Sequence, residues 1–138
     1  MTLRRKSREY ALQMLFQWDM GKQDPSRIEE GFWRNARAQK STRDFANQLF
    51  ENAAARVAEL DPIISTHALN WRIERISAID RAILRLAISE LRTRGTPAKV
   101  VLDEAVELAK KFSSEEAAGF INGILDAALK SFGEKKSD

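Results

Sequence analysis

Residues 98–126 read AKVVLDEAVELAKKFSSEEAAGFINGILD, and this stretch decides the fold. Val101, Ala105, Val106 and Leu108 recur at helical spacing, as do Ile121, Ile124, Leu125 and Ala128 further on. Two helical patterns therefore meet at Phe112-Ser113-Ser114, where Ser114 is a candidate N-cap. Gly119 and Gly123 stand one turn apart inside the second pattern. Glycine in a helix interior costs about 1 kcal/mol against alanine. The pair points to a face that something approaches closely.

Upstream, Asp80-Arg81-Ala82-Ile83-Leu84-Arg85-Leu86-Ala87 continues the helical reading. Ile79, Ile83, Leu84, Leu86, Ala87, Ile88 and Leu91 cover most of this helix. Arg81, Arg85, Ser89 and Arg92 form its polar strip. An apolar arc that wide belongs at the centre of a fold. Ser77 with Asp80 has the spacing of a capping box. The prolines at 25, 62 and 97 each follow a good cap: Asp24, Asp61 and Thr96. Proline suits a first helical position, where an N–H has no partner to lose, so all three mark helix starts. Thr42 is a further cap candidate. The pattern predicts an all-α chain of about seven helices, near 4–20, 25–38, 43–60, 62–69, 77–93, 97–111 and 115–131. They form two packed small helical bundles in a single domain spanning 1–138, with a basic arm at 1–8 and a flexible tail at 133–138.

Composition removes several classes of function. Cysteine is absent and His67 is the one histidine, so neither a disulfide framework nor a cysteine or histidine metal cluster is available. No apolar run is long enough to span a bilayer, and no signal-type apolar segment follows the basic N-terminus. A cytoplasmic protein is expected. No Gly-rich phosphate loop, nucleophile elbow or metal-ligand spacing occurs. No catalytic residue, metal or cofactor is assigned, and the chain is expected not to be an enzyme.

The net charge of +3 is unevenly spread, with 14 arginines against 9 lysines by direct count. Arg4, Arg5, Lys6 and Arg8 precede the first acid, Glu9. Their positive charge opposes the helix dipole, which favours acids at an N-terminus. An anionic partner would resolve that conflict; a solvated run that aids solubility is the alternative. Acids gather instead at Asp103, Glu104, Glu107, Glu115 and Glu116. On the last helix, Phe120 lies a quarter-turn from the core side, beside Glu116 and Gly123. A ring at such a border either packs against a neighbouring helix or stacks on an unpaired base. Asn122 either pairs with a base or caps a backbone group. In the first helix, Phe16 points away from Ala11, Met14, Leu15 and Trp18, flanked by Leu12 and Met20. An exposed ring among apolar neighbours marks a protein interface.

Taken in order, these segments resemble the NusB family of transcription antitermination factors. The matching parts are the basic arm, Arg8-Glu9-x-Ala-Leu-Gln-x-Leu-Phe16, the Asp80-Arg81 helix, Glu104-Ala-Val-Glu-Leu-Ala-Lys110 and Phe120-x-Asn-Gly-x-Leu-Asp126. The region from about 21 to 42 carries little of the likeness. The resemblance implies binding of boxA, a short single-stranded RNA element of ribosomal RNA transcripts. The partner it implies is the ribosomal protein NusE, within the RNA polymerase antitermination complex. It places Arg4, Arg5, Lys6, Arg8, Glu116, Phe120 and Asn122 at the RNA, and Leu12, Phe16, Asp80 and Leu84 at the protein partner. Phe16 stands where tyrosine is common, which removes a hydroxyl. The competing reading is a helical protein–protein adaptor without specific RNA binding. A homodimer that buries the arm stays open.

Overall fold

The computed structural model describes residues 3–69, 71–93 and 95–136. Its helices are α1 (Leu3–Gly21), α2 (Pro25–Asn35), α3 (Lys40–Ala55), α4 (Val57–His67), α5 (Ala78–Thr93), α6 (Ala98–Phe112) and α7 (Glu115–Lys136). A 3-10 turn at Ile73–Arg75 precedes α5. The all-α expectation holds, with no strand among the described residues.

Several boundaries follow from local chemistry. Asp24 caps α2 by accepting the Ser26 N–H at 3.2 Å, with Pro25 next in the chain. Ser77 accepts the Asp80 N–H at 3.2 Å and Ser114 accepts the Ala117 N–H at 3.0 Å, so both serines cap as their spacing predicts. Pro62 is a correction. It lies inside α4 rather than opening a helix, and the break falls at Arg56. The carbonyl that Pro62 leaves without a donor is that of Ala58, an exposed residue, so water can satisfy it. Asp61 is therefore free of capping duty and pairs with Arg85 instead. Thr42 is no cap either. It lies within α3, buried, and its carbonyl accepts the Ser7 hydroxyl at 2.9 Å. Pro97 itself occupies the cap position of α6, and α2 ends at Asn35. The tail expected from 133 onward is helical in its backbone to Lys136, and 137–138 lie outside the described residues.

The wide apolar arc of α5 puts that helix in the middle. It touches α1 and α3 of the N-terminal bundle and α4, α6 and α7 of the C-terminal one. Every residue from Ala82 to Leu91 is buried. The middle of the strip read as polar is buried too, with Arg85 4% exposed and Ser89 2%, while Arg81 is half-buried and Arg92 exposed. Each large apolar side chain here contributes roughly 1.5–3 kcal/mol through removal from water. Ala11, Met14, Leu15, Val101, Ala105, Leu108, Ile121, Ile124, Leu125 and Ala128 are buried around it, with Val106 half-buried at the edge.

Charges inside this core are paired. Asp19 of α1 accepts from Arg81 at 2.6 Å and lies 3.1 Å from Arg85. Arg85 also forks onto Asp61 of α4, both bonds at 2.8 Å. Burial works against the Asp19 carboxylate, but the bonds from Arg81 and Arg85 outweigh it and hold its pKa down at about 2. Burial likewise opposes the Arg85 cation, and Asp61 and Asp19 raise its pKa in spite of that. At the α2–α3 contact the opposite occurs. Burial, reinforced by neighbouring Glu51, pushes the Glu29 carboxyl up to about 8.

Candidate RNA and protein interfaces

The basic arm is the first turns of α1 rather than a free extension, and its charges divide into two sets. Arg8 is 5% exposed and forks onto Glu90 of α5, at 3.1 and 2.7 Å. Arg5 forks onto Glu104 of α6, also at 3.1 and 2.7 Å. That hydrogen bond lowers the Glu104 pKa, although partial burial opposes the shift. Glu9 receives Lys111 at 2.9 Å. The anion expected to balance the arm is therefore largely supplied by the chain itself. Arg8 in particular is a structural ion pair and not an RNA contact in this conformation.

Arg4 and Lys6 form the second set. Arg4 is exposed, with its guanidinium 3.8 Å from the Phe45 ring centroid. The Lys6 side chain is 43% exposed, 3.7 Å from Glu9 and 5.2 Å from the Tyr10 ring centroid. Beside Arg4 a groove of about 520 Å³ opens between α1, α3 and the start of α6, lined by Phe45, Gln48, Asn52, Thr93 and Thr96. Sequence reasoning missed Phe45, Gln48 and Asn52. Their spacing at positions 45, 48 and 52 marks one helix face next to the arm, a signal visible only once α1 and α3 are known to pack.

At the other end of α5 lies a groove of about 470 Å³, lined by Trp71, Arg75, Ser77, Asp80, Ser114, Glu116 and Phe120. Phe120 is half-buried and meets Trp71 edge to face, centroids 6.1 Å apart. Trp71 remains 51% exposed, so the pair offers open ring surface. Asn122, Gly119, Gly123 and Glu116 are all exposed. A Cβ built on either glycine meets nothing within 4 Å, so no part of this chain requires glycine there. The face is open to something outside the chain. Trp71 was not singled out from the sequence, although an indole in a polar linker was its signal.

The groove brings Asp80 together with Glu116 and Phe120, which the sequence reading had assigned to different partners. It also separates Phe120 from the arm. Asp80 and Glu90, the anchor of Arg8, are ten residues apart on α5, a span of about 15 Å. Asp80 is half-buried, and its Oδ1 is shielded from solvent without a hydrogen-bond partner among the described residues. Phe16 is half-buried and Met20 is 59% exposed. The Asp19–Arg81 bond fastens this end of α1 to the start of α5. Leu12 and Leu84 are corrections. Each lies one turn from Phe16 or Asp80, but both are 0% exposed and belong to the core, where no partner reaches them. Among the described residues no acid or histidine cluster suits a metal, and no helix is long and apolar enough to cross a membrane.

The sequence profile of the NusB family matches residues 5–130. The chain is 48% identical to the transcription antitermination protein NusB of Koribacter versatilis, covering 92% of this chain and 88% of that protein. It is 44% identical to the NusB of Solibacter usitatus, over 97% of this chain and 93% of that protein. Among solved structures, one of antitermination factors NusB and NusE in complex with dsRNA superposes with a TM-score of 0.85. It shares 29% identity and covers 95% of this chain and 98% of that one.

Proposed function

Because the chain belongs to the NusB family, we propose that it is a transcription antitermination factor acting in the cytoplasm. It holds the boxA element of ribosomal RNA transcripts together with the ribosomal protein NusE, and so helps RNA polymerase read through terminators. It acts by binding, without turnover. The observation that carries this reading is the near full-length superposition on a NusB bound to NusE and RNA.

The geometry supports distinct roles for the two ends of α5. Arg5 keeps exposed side-chain surface but is held in a fork by Glu104, whereas Arg4 and Lys6 keep theirs without a forked carboxylate partner among the described residues, so they meet phosphates. Phe120 and Trp71 present ring faces, the usual platform for unpaired bases, and this favours a single strand on that groove. Asn122 lies on the same open helix and is available to a base edge. Glu116 borders the groove and opposes phosphate. Asp80 holds a shielded carboxylate oxygen that lacks a donor, a state that a cationic or N–H group of a partner would relieve. Phe16 and Met20 offer that partner apolar surface on the adjoining end of α1.

The test is retention of a boxA RNA at two salt concentrations, with wild type and an Arg4→Ala/Lys6→Ala variant. Each lost phosphate contact lowers the salt slope by about 0.7 on a single strand. A slope unchanged in the double variant refutes the arm assignment. No salt-dependent retention by the wild type favours the adaptor reading. Phe16→Ala checks the protein side: Phe16 does not line the groove of Trp71 and Phe120, so its loss weakens NusE association and leaves RNA affinity intact.

A further inference from the structure

We propose that the α2–α3 connection is a second phosphate track that extends the RNA site beyond the arm, and this rests on the RNA-binding reading above. Arg37, Lys40 and Arg43 are all exposed on this segment. Neither Arg37 nor Arg43 makes an ion pair among the described residues. The one nearby acid of the segment, Asp44, is engaged by Lys40 at 2.7 Å.

Contacts with α1 make the track continuous with the arm. The Ser7 hydroxyl donates to the Thr42 carbonyl at 2.9 Å, which seats the start of α3 against the first turns of α1. The Tyr10 hydroxyl reaches the Arg37 carbonyl at 3.5 Å, and Lys6 lies over the same tyrosine ring at 5.2 Å. Arg4 rests on Phe45, which lies about 200° round α3 from Arg43 and so marks the opposite flank of that helix. Lys6, Arg37, Lys40 and Arg43 therefore lie along the junction of α1 with the α2–α3 connection, offset by Glu9 beside Lys6 and Asp44 beside Lys40. Glu9 is itself taken up by Lys111.

A surface of exposed arginine and lysine cations suits the charge of a sugar–phosphate backbone. The occupant is single-stranded RNA flanking the element held at the arm.

The experiment compares wild type with Arg37→Gln/Arg43→Gln on two RNAs: the boxA element alone, and the same element with oligouridine flanks on both sides. Both side chains are exposed, and Tyr10 uses only the Arg37 backbone, so folding is retained and checked by circular dichroism. On the flanked RNA the variant loses about 1.4 of salt slope, two contacts at about 0.7 each. Wild type then loses about 7-fold more affinity than the variant between 50 and 200 mM salt. On the short RNA the two proteins bind alike. Equal affinity and slope on the flanked RNA overturn the track, as does an equal loss on both RNAs. If wild type holds neither RNA, the RNA-binding reading itself falls and takes the track with it.

Discussion

Replacing Asp19 by asparagine tests how the C-terminal end of α1 is fastened to α5. Asp19 is the anion that holds this end against α5, through Arg81 at 2.6 Å and Arg85 at 3.1 Å. Burial raises its pKa and the two arginines lower it further, so the value falls from 3.8 to about 2. A fall of roughly two units corresponds to roughly 2–3 kcal/mol of stability at neutral pH. Removing the only partner of a buried ion costs about 3–5 kcal/mol. The loss should stay below that range because Arg85 keeps Asp61 and Arg81 keeps the carbonyls of Ile73 and Ile76. We expect Asp19→Asn to lower stability by about 2–3 kcal/mol at pH 7. The pH dependence has a definite sign. A depressed carboxylate pKa stabilises the fold above the unfolded value of 3.8, and that contribution vanishes as pH falls toward about 2. The gap between wild type and variant therefore closes over this window. Urea unfolding followed by circular dichroism across the pH series measures it. A gap under about 0.5 kcal/mol at pH 7, the size of an ordinary surface change, or one independent of pH, refutes the reasoning.

Other perturbations separate structure from binding. Arg8→Ala leaves Glu90 buried without its partner and should cost about 3–5 kcal/mol in chemical denaturation, whereas Arg4→Ala should leave stability within about 0.5 kcal/mol. Glu116→Gln should strengthen RNA binding, most at low salt where screening is weakest, in an anisotropy titration. Gly123→Ala should raise stability by about 0.4–1 kcal/mol, since its Cβ meets nothing; it should also weaken RNA binding if the open face of α7 meets the ligand. Glu29→Gln should stabilise the protein increasingly as pH rises from 4.5 to about 8, because the raised carboxyl resists ionisation in the fold and not in the unfolded chain. Unfolding midpoints at both ends of that range check it.

The helical content and the place of α5 were legible because apolar spacing is local information. Ser77, Ser114 and Asp24 cap helices as their spacing predicts, for the same reason. Pro62 was misread because the break at Arg56 carries no turn residue, and a good cap beside a proline looks the same whether or not it is used. The fate of the arm could not be read at all. Arg5 and Arg8 meet Glu104 and Glu90, partners 99 and 82 residues away, and long-range pairing leaves no periodic trace. The same holds for Leu12 and Leu84: a helical wheel places them near Phe16 and Asp80 without revealing that another helix covers them. Asp80 and Phe120 share a groove because α5 and α7 start at the same end of the bundle, a fact of packing alone.

The central claim is that RNA and NusE bind this protein together and each favours the other. Measuring all four affinities of the cycle tests it most directly: RNA with and without NusE, and NusE with and without RNA, at one salt concentration. Linkage requires the two gains to be equal, and the account predicts a gain of about 5–150-fold in each, the usual range for coupled sites. Two ligands that bind without affecting one another, or that displace each other, would contradict it.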